Sequence, residues 1–203
     1  MKIYFKDITK SYDGTPVLDH VNFSIDTGSD ARDILLRGPS GIGKTTLLRI
    51  IAGLEKADSG SVEISMGEAA HGGSGLKVGM VFQENRLLEH MSSVANVSLV
   101  DTSVSEQRAR KALGEILPPE ALDKPVSELS GGMKRRVAIV RAMLPFSDIL
   151  VMDEPFTGLD AETRERVIDY IMRNKGRRPL IIASHEVEGL PKMRELVLEQ
   201  KQL

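Results

Sequence analysis

Alternating polar and apolar positions mark Lys2 to Phe5 and Val21 to Ile25 as half-buried strands, with Asp13-Gly14-Thr15-Pro16 between them as a turn. The chain should therefore open with an antiparallel sheet. Ile34-Leu35-Leu36 is a short apolar run leading into a glycine-rich stretch, after which Thr46 to Ala52 takes on helical spacing. Val62-Glu63-Ile64 and Val78 to Phe82 read as further strands, separated by a polar loop from Gly67 to Gly75. His71 in that loop is expected to be a surface residue, because no second His, Cys or carboxylate stands beside it at metal-ligand spacing. From Glu84 to Glu128 the pattern turns helical, with Val94 to Leu99 and Glu106 to Leu117 as helices and Pro118-Pro119 as the stop. Ser130-Gly131-Gly132 opens a helix through Met143, on which Lys134-Arg135-Arg136 reads as a solvated face. Ile149 to Met152 is a continuous apolar run suited to a buried parallel strand, followed by a helix from Ala161 to Asn174 and a strand from Leu180 to Ala183.

Strands alternating with helices predict an α/β fold with a mostly parallel sheet. To it are added an N-terminal antiparallel β-subdomain and a small helical subdomain over residues 83–129, the core being drawn from 1–82 and 130–203. At 203 residues and 41% hydrophobic content, the chain can bury one good core with a small appended subdomain. A net charge of −2 gives no global attraction to nucleic acid or anionic lipid, and no nucleic-acid partner is expected. With no cysteine, disulfides and thiolate metal sites are excluded. Neither a signal-like leader nor a run approaching the ~18 apolar residues of a membrane span is present, so a cytoplasmic chain is expected.

The chemistry concentrates in Gly38-Pro39-Ser40-Gly41-Ile42-Gly43-Lys44-Thr45-Thr46, which joins a strand to a helix. Glycines in such a loop let successive N–H groups turn onto polyphosphate oxygens, the helix N-terminus adds its dipole, and Lys44 adds a full charge. Thr45 is placed to offer its hydroxyl to a magnesium ion. A chain of this length meets the Gly-x-x-x-x-Gly-Lys-[Ser/Thr] pattern by chance about one time in a hundred, which argues against a mere glycine turn. Asp153-Glu154 follows the buried strand, at the carboxyl edge where ligands of open α/β sheets gather. Asp153 can hold magnesium, and Glu154 can act as general base on the attacking water. Gln83, also at a strand end, can contact magnesium or that water, and His185 after the last strand can donate to a γ-phosphate. Tyr12, with Val17 as apolar neighbour, offers an aromatic face for a nucleobase.

Taken together, Gly38 to Thr46, Gln83, Leu129-Ser130-Gly131-Gly132-Met133, Asp153-Glu154-Pro155, Thr157-Gly158-Leu159-Asp160 and His185 resemble the nucleotide-binding subunit of an ABC transporter. The resemblance spans almost the whole chain. It implies a phosphate-loop NTPase core, ATP and Mg2+ as ligands, and two subunits facing head to tail, each ATP lying between one phosphate loop and the partner's signature. Ser130, Gly131 and Gly132 would then meet the partner's nucleotide, and Asp160 would sit across the seam. It also implies transmembrane permease subunits as partners, a homodimer or a pair with a related ATPase chain, contact with the permease through the helical subdomain, and a place on the cytoplasmic face of the membrane. Met133 stands where the pattern usually has glutamine, from which sandwiching with an altered rate is expected. Similar signatures, and the segment Val81 to Leu88, resemble importer subunits for nitrate, sulfonate or taurine-like solutes. The polar stretch Thr27 to Asp33 is read as a surface variation. The alternatives are a non-transport ABC ATPase, as in cofactor-cluster assembly, and a regulatory ATP-binding module with little turnover.

Overall fold

The computed structural model describes residues 1–65 and 75–199. His71 and all but the last residue of the loop from Gly67 to Gly75 lie outside the described residues. Strands β1 (Lys2–Tyr12) and β2 (Thr15–Asp26) form a hairpin whose turn is Asp13-Gly14 alone. Both turn residues have positive φ, 49° and 77°, which suits a two-residue turn that follows the twist of its strands. Thr15 and Pro16 are thus strand residues rather than turn residues. Each strand is longer than its alternation suggested, because the register shifts between Phe5 and Ile8 and again toward Ser11, interrupting the two-residue period. Strand β4 (Ser59–Ser65) pairs with the other edge of β1, which places Val62-Glu63-Ile64 in this antiparallel sheet.

The second sheet has five strands in the order β5 (Val78–Val81), β6 (Ile149–Asp153), β7 (Leu180–Ala183), β3 (Ile34–Arg37) and β8 (Arg194–Val197), and every pairing is parallel. Every residue of β6 and β7 is buried, and the side chains alternate between two cores. Leu150, Met152, Leu180 and Ile182 join the helical side, whereas Ile149, Val151, Ile181 and Ala183 join the side that holds the antiparallel sheet and helix α1 (Lys44–Ile51). A continuous apolar run is what two covered faces require.

Four more α-helices follow, with short 3-10 turns at Pro119–Ala121 and Val126–Glu128 among the described residues. Helices α2 (Ser93–Ser98) and α3 (Glu106–Gly114) are capped by the hydroxyls of Ser92 and Ser105, which accept from Ala95 and Arg108 N–H at 3.1 and 3.3 Å. Helix α3 ends at Gly114, short of Leu117, since glycine weakens a helix interior and Ile116 N–H bonds instead to Leu113 O. Helices α4 (Gly131–Met143) and α5 (Ala161–Asn174) run as the pattern indicates.

The run Lys134-Arg135-Arg136 is not a solvated face. Arg135 is 5% exposed, Arg136 is half-buried and donates to Ile116 O at 2.6 Å, and Lys134 pairs with Glu89 at 2.7 Å. Helix α4 is packed against α2, α3, α5 and β5, so little of its circumference remains for water.

Candidate functional site

The loop between β3 and α1 has to pass close to β2. A Cβ built on Gly43, where φ is +104°, would lie 2.8 Å from both Cγ1 and the carbonyl oxygen of Val17, so only glycine fits. Gly43 also precedes the first helical residue, which moves the start of α1 forward from Thr46 to Lys44. Gly38 likewise has no room for a side chain, since a Cβ there would stand 2.8 Å from Leu198 O and 2.9 Å from Ile42 Cγ2. The side chain of Ile42 turns into the core, leaving Pro39, Ser40 and Gly41 as the exposed rim. Lys44 curls back and donates its ammonium to Gly38 O and Pro39 O at 2.8 and 3.0 Å.

An open cleft of about 650 Å³ faces this loop. Tyr12 and Val17 come to it from the antiparallel sheet, Lys44, Thr45 and Thr46 from α1, and Gln83, Asp153, Glu154 and His185 from the carboxyl ends of β5, β6 and β7. Thr45 Oγ1 donates to Asp153 Oδ2 at 2.7 Å. Asp153 is 2% exposed, and burial pushes its carboxyl above the usual range, while the Thr45 hydrogen bond, Lys44, Arg135 and Arg49 pull it back. Glu154 has φ of +47°, an uncommon backbone for a non-glycine residue. Its N–H donates to Ala183 O at 2.8 Å, and its carboxylate accepts from His185 N–H at 3.3 Å, with His185 Nε2 3.7 Å from Oε1. Tyr12 is 42% exposed and its hydroxyl donates to Glu55; that hydrogen bond, first, and desolvation hold the phenol above its ordinary value. Its ring therefore faces the cleft with the hydroxyl already engaged.

Thr45, Gln83 and Asp153 suit a magnesium ion. Among the described residues no group of three His, Cys, Asp or Glu side chains could form a cage, but Mg2+ takes much of its shell from water and phosphate and needs only one or two protein oxygens. A hydroxyl and a buried carboxylate 2.7 Å apart could supply them.

Ser130, Gly131, Gly132 and Asp160 do not line this cleft. Ser130 and Asp160 cap α4 and α5, accepting from Met133 and Thr163 N–H at 3.3 and 2.8 Å. Two hydrogen bonds from Thr163, from its backbone first, hold the Asp160 carboxyl below the ordinary range. The two helix starts adjoin, because a Cβ on Gly132 would meet Leu159 Cδ2 at 3.3 Å and Gly158 O at 3.4 Å. The segment from Asp153 to Asp160 thus runs from the cleft to this second cluster. Met133 is half-buried and packs on the helical core.

Sequence reasoning missed Arg135, whose buried guanidinium donates to the carbonyl oxygens of Phe82, at 2.6 Å, and Gln83. Its position within a charged run concealed it. The edge strand β8 was missed as well, since its exposed Arg194-Glu195 start carries no apolar signal.

A glycine loop from β3 to α1, with paired acids at the end of β6 two strands away in the same parallel sheet, defines a phosphate-loop nucleoside triphosphatase. Residues 18–157 match the family model described as ABC transporter, and the chain belongs to that family. The aliphatic sulfonates import ATP-binding protein SsuB 2 of Agrobacterium fabrum is 37% identical over 198 residues, covering 96% of this chain and 74% of the relative. The sulfate/thiosulfate import ATP-binding protein CysA of Rhodopseudomonas palustris is 40% identical over 178 residues, or 82% of this chain, and the match covers 50% of that relative's length. A solved dimeric structure of a post-hydrolysis state of the ATP-binding cassette MJ0796, bound to ADP and Pi, superposes with a TM-score of 0.77 at 26% identity, covering 92% of this chain and 89% of that one. The chain is the ATP-binding, ATP-hydrolysing subunit that powers an ABC transporter.

Proposed function

We propose that the cleft binds Mg·ATP and that a second copy, or a related chain, closes over it with Ser130, Gly131, Gly132 and Asp160. The division of the candidate residues into two clusters carries this reading: the cleft holds a phosphate cradle and acids, while two adjoining helix N-termini face elsewhere. A helix start with exposed Ser130 and Gly131 and no acidic residue in its first turn is open to an anion.

Within the cleft, Lys44 exchanges two neutral carbonyl acceptors for charged phosphate oxygens, a stronger hydrogen bond of the charge-assisted kind. The adenine base stacks on Tyr12 beside Val17. Thr45, Asp153 and Gln83 would hold a magnesium ion, which would supply positive charge to neutralise the polyphosphate. Glu154 takes the proton of the attacking water, and His185, tethered to Glu154 through its N–H, donates toward the γ-phosphate. ATP favours the closed pair, and loss of the γ-phosphate contacts reopens it.

The partner that turns this motion into transport is a membrane permease, with the chain lying peripherally on the cytoplasmic face. Among the described residues no helix is long and apolar enough to cross a membrane. A groove of about 500 Å³ between the β5 edge and the helical segment exposes Leu54, Val100 and Phe146, which suits a short permease helix. The named relatives support import of a small sulfur oxyanion as the task.

The test compares Mg-dependent ATP hydrolysis and gel-filtration mass for the intact chain and Glu154→Gln. Loss of the base lowers turnover by about 100-fold or more and leaves an ATP-held dimer. A variant that still hydrolyses ATP at the parent rate removes Glu154 from its role, and a variant that stays monomeric at saturating ATP removes the sandwich.

A further inference from the structure

Arg135 does not line the cleft, yet it is one of the most deeply buried cations among the described residues at 5% exposure. Its Nη1 donates to Phe82 O at 2.6 Å and its Nη2 to Gln83 O, while its Nε is buried with no partner among the described residues. Burial lowers the guanidinium, and the charges of Asp153 and Glu154 raise it again. An apolar side chain would pack here without a desolvation cost, so stability alone does not account for an arginine. What the guanidinium does is geometric. It is a rigid planar fork, and its two prongs fix two successive carbonyl oxygens at the end of β5, where Gln83 enters the cleft. The fork stands on α4, the helix that begins at Ser130. A second arginine on the same helix, Arg141, holds Asn85 O and Arg86 O at 2.9 and 2.7 Å, so four of the five residues 82–86 are tied to one rigid element.

We infer that Arg135 is a positioning residue for hydrolysis: it orients Gln83 toward the cleft and fastens it to α4, so that the strand end at the nucleotide and the helix start at Ser130 move as one body. The inference rests on the assignment of Gln83 to the magnesium and water site proposed above.

A double-mutant cycle separates the two claims. Gln83→Ala and Arg135→Met are each expected to lower kcat by about 10-fold or more, with nucleotide Kd within about 3-fold of the parent, because both act on the hydrolytic step and not on binding. The double variant should fall no further than about 2-fold below Gln83→Ala, as residues that act through one another are not additive. Arg135→Lys, which keeps the charge but not the fork, should recover only part of the rate, and it takes the place of Arg135→Met in the cycle if that variant does not fold. In the nucleotide-free chain, amide exchange of Arg135→Met should quicken at 82–86 and stay unchanged in β3 and β7. Multiplying effects in the cycle, a change confined to Kd, or unaltered exchange at 82–86 overturns the inference and leaves Gln83 in place. A parent-like kcat for Gln83→Ala overturns the Gln83 assignment, and the role of Arg135 with it.

Discussion

Replacing Asp153 by Asn should stabilise the ligand-free chain while destroying its response to Mg·ATP. The carboxylate is 2% exposed, and taking such an ion out of water costs several kcal/mol, of which one charge-assisted hydrogen bond from Thr45 returns about 1.5–3 kcal/mol. Lys44, Arg135 and Arg49 return more, but burial remains the largest influence and the carboxyl sits above its ordinary range, so the ionised group is a net burden. Asparagine keeps the shape and the acceptor for Thr45 and removes the charge. A gain of about 1 kcal/mol is expected, which for a chain of this size is a rise in Tm of about 2–4 °C. The pH dependence has a fixed sign. Because the folded-state value lies above the unfolded one, the burden is fully present above the raised folded value and vanishes below the ordinary carboxylate value of about 3.9, so the gap between variant and parent narrows as pH falls through that window. Adding Mg2+ with a non-hydrolysable ATP analogue reverses the order: a ligand at about 100 times its Kd stabilises the parent by about 2.7 kcal/mol and leaves the variant behind. Thermal melts at pH 7 and pH 5, with and without the analogue, read all of this. A ligand-free variant that melts below the parent at pH 7, or a gap that widens on acidification, refutes the argument.

Gly43→Ala places a Cβ against the Val17 carbonyl at a φ of +104°, a strain of about 1–3 kcal/mol, and should lower Tm by several degrees and weaken nucleotide binding in titration calorimetry. Lys175→Met breaks an ion pair with Asp33 at 2.9 Å in which the lysine side chain is 4% exposed; about 3–5 kcal/mol of stability should be lost in denaturant unfolding, with ATP affinity intact in the folded fraction because the pair is absent from the cleft lining. Tyr12→Ala should raise the Kd for ATP by about 5- to 10-fold, the worth of one aromatic stack, without altering triphosphate binding.

The helices α4 and α5 and the strands β6 and β7 were legible almost to the residue, because each has a cap or two covered faces that write their demands into the sequence: Ser130 and Asp160 at the helix starts, unbroken apolar runs in the strands. The cleft was legible for a related reason. The motifs that hold Lys44, Asp153, Glu154 and His185 each close or follow a strand of the parallel sheet, and the elements carrying them all meet at one edge of it. Where tertiary context decides, the pattern was silent. Bulges in β1 broke the two-residue period, and β8 is an edge strand whose pairing with β3 is set by backbone bonds. Arg135 was the hardest case, since a basic residue between two others reads as surface until the carbonyl oxygens that satisfy it are known.

The same helix capping that made α4 and α5 readable also bears on how the two clusters must work. Ser130 and Asp160 each accept one N–H of their own helix, which stabilises the starts with no ligand present. A cap satisfies only part of a helix terminus, however; the remaining N–H groups of the first turn and the dipole stay available to an anion. In the proposed sandwich the uncharged start at Ser130, already ordered, would meet a partner's γ-phosphate without a folding step, while the short segment from Asp153 to Asp160 links its neighbour to the buried carboxylate of the chain's own cleft. Closing the pair proposed above would then cost little reorganisation at Ser130, and the difference between the ATP and ADP states would fall on the contacts of a single phosphate group. Asp160→Ala tests this: removing the cap should cost about 1 kcal/mol of stability, and if Asp160 also faces the partner, the ATP-held dimer of Glu154→Gln should weaken by more than that loss explains. Equal dimer affinity with and without the Asp160 carboxylate would confine the residue to its cap.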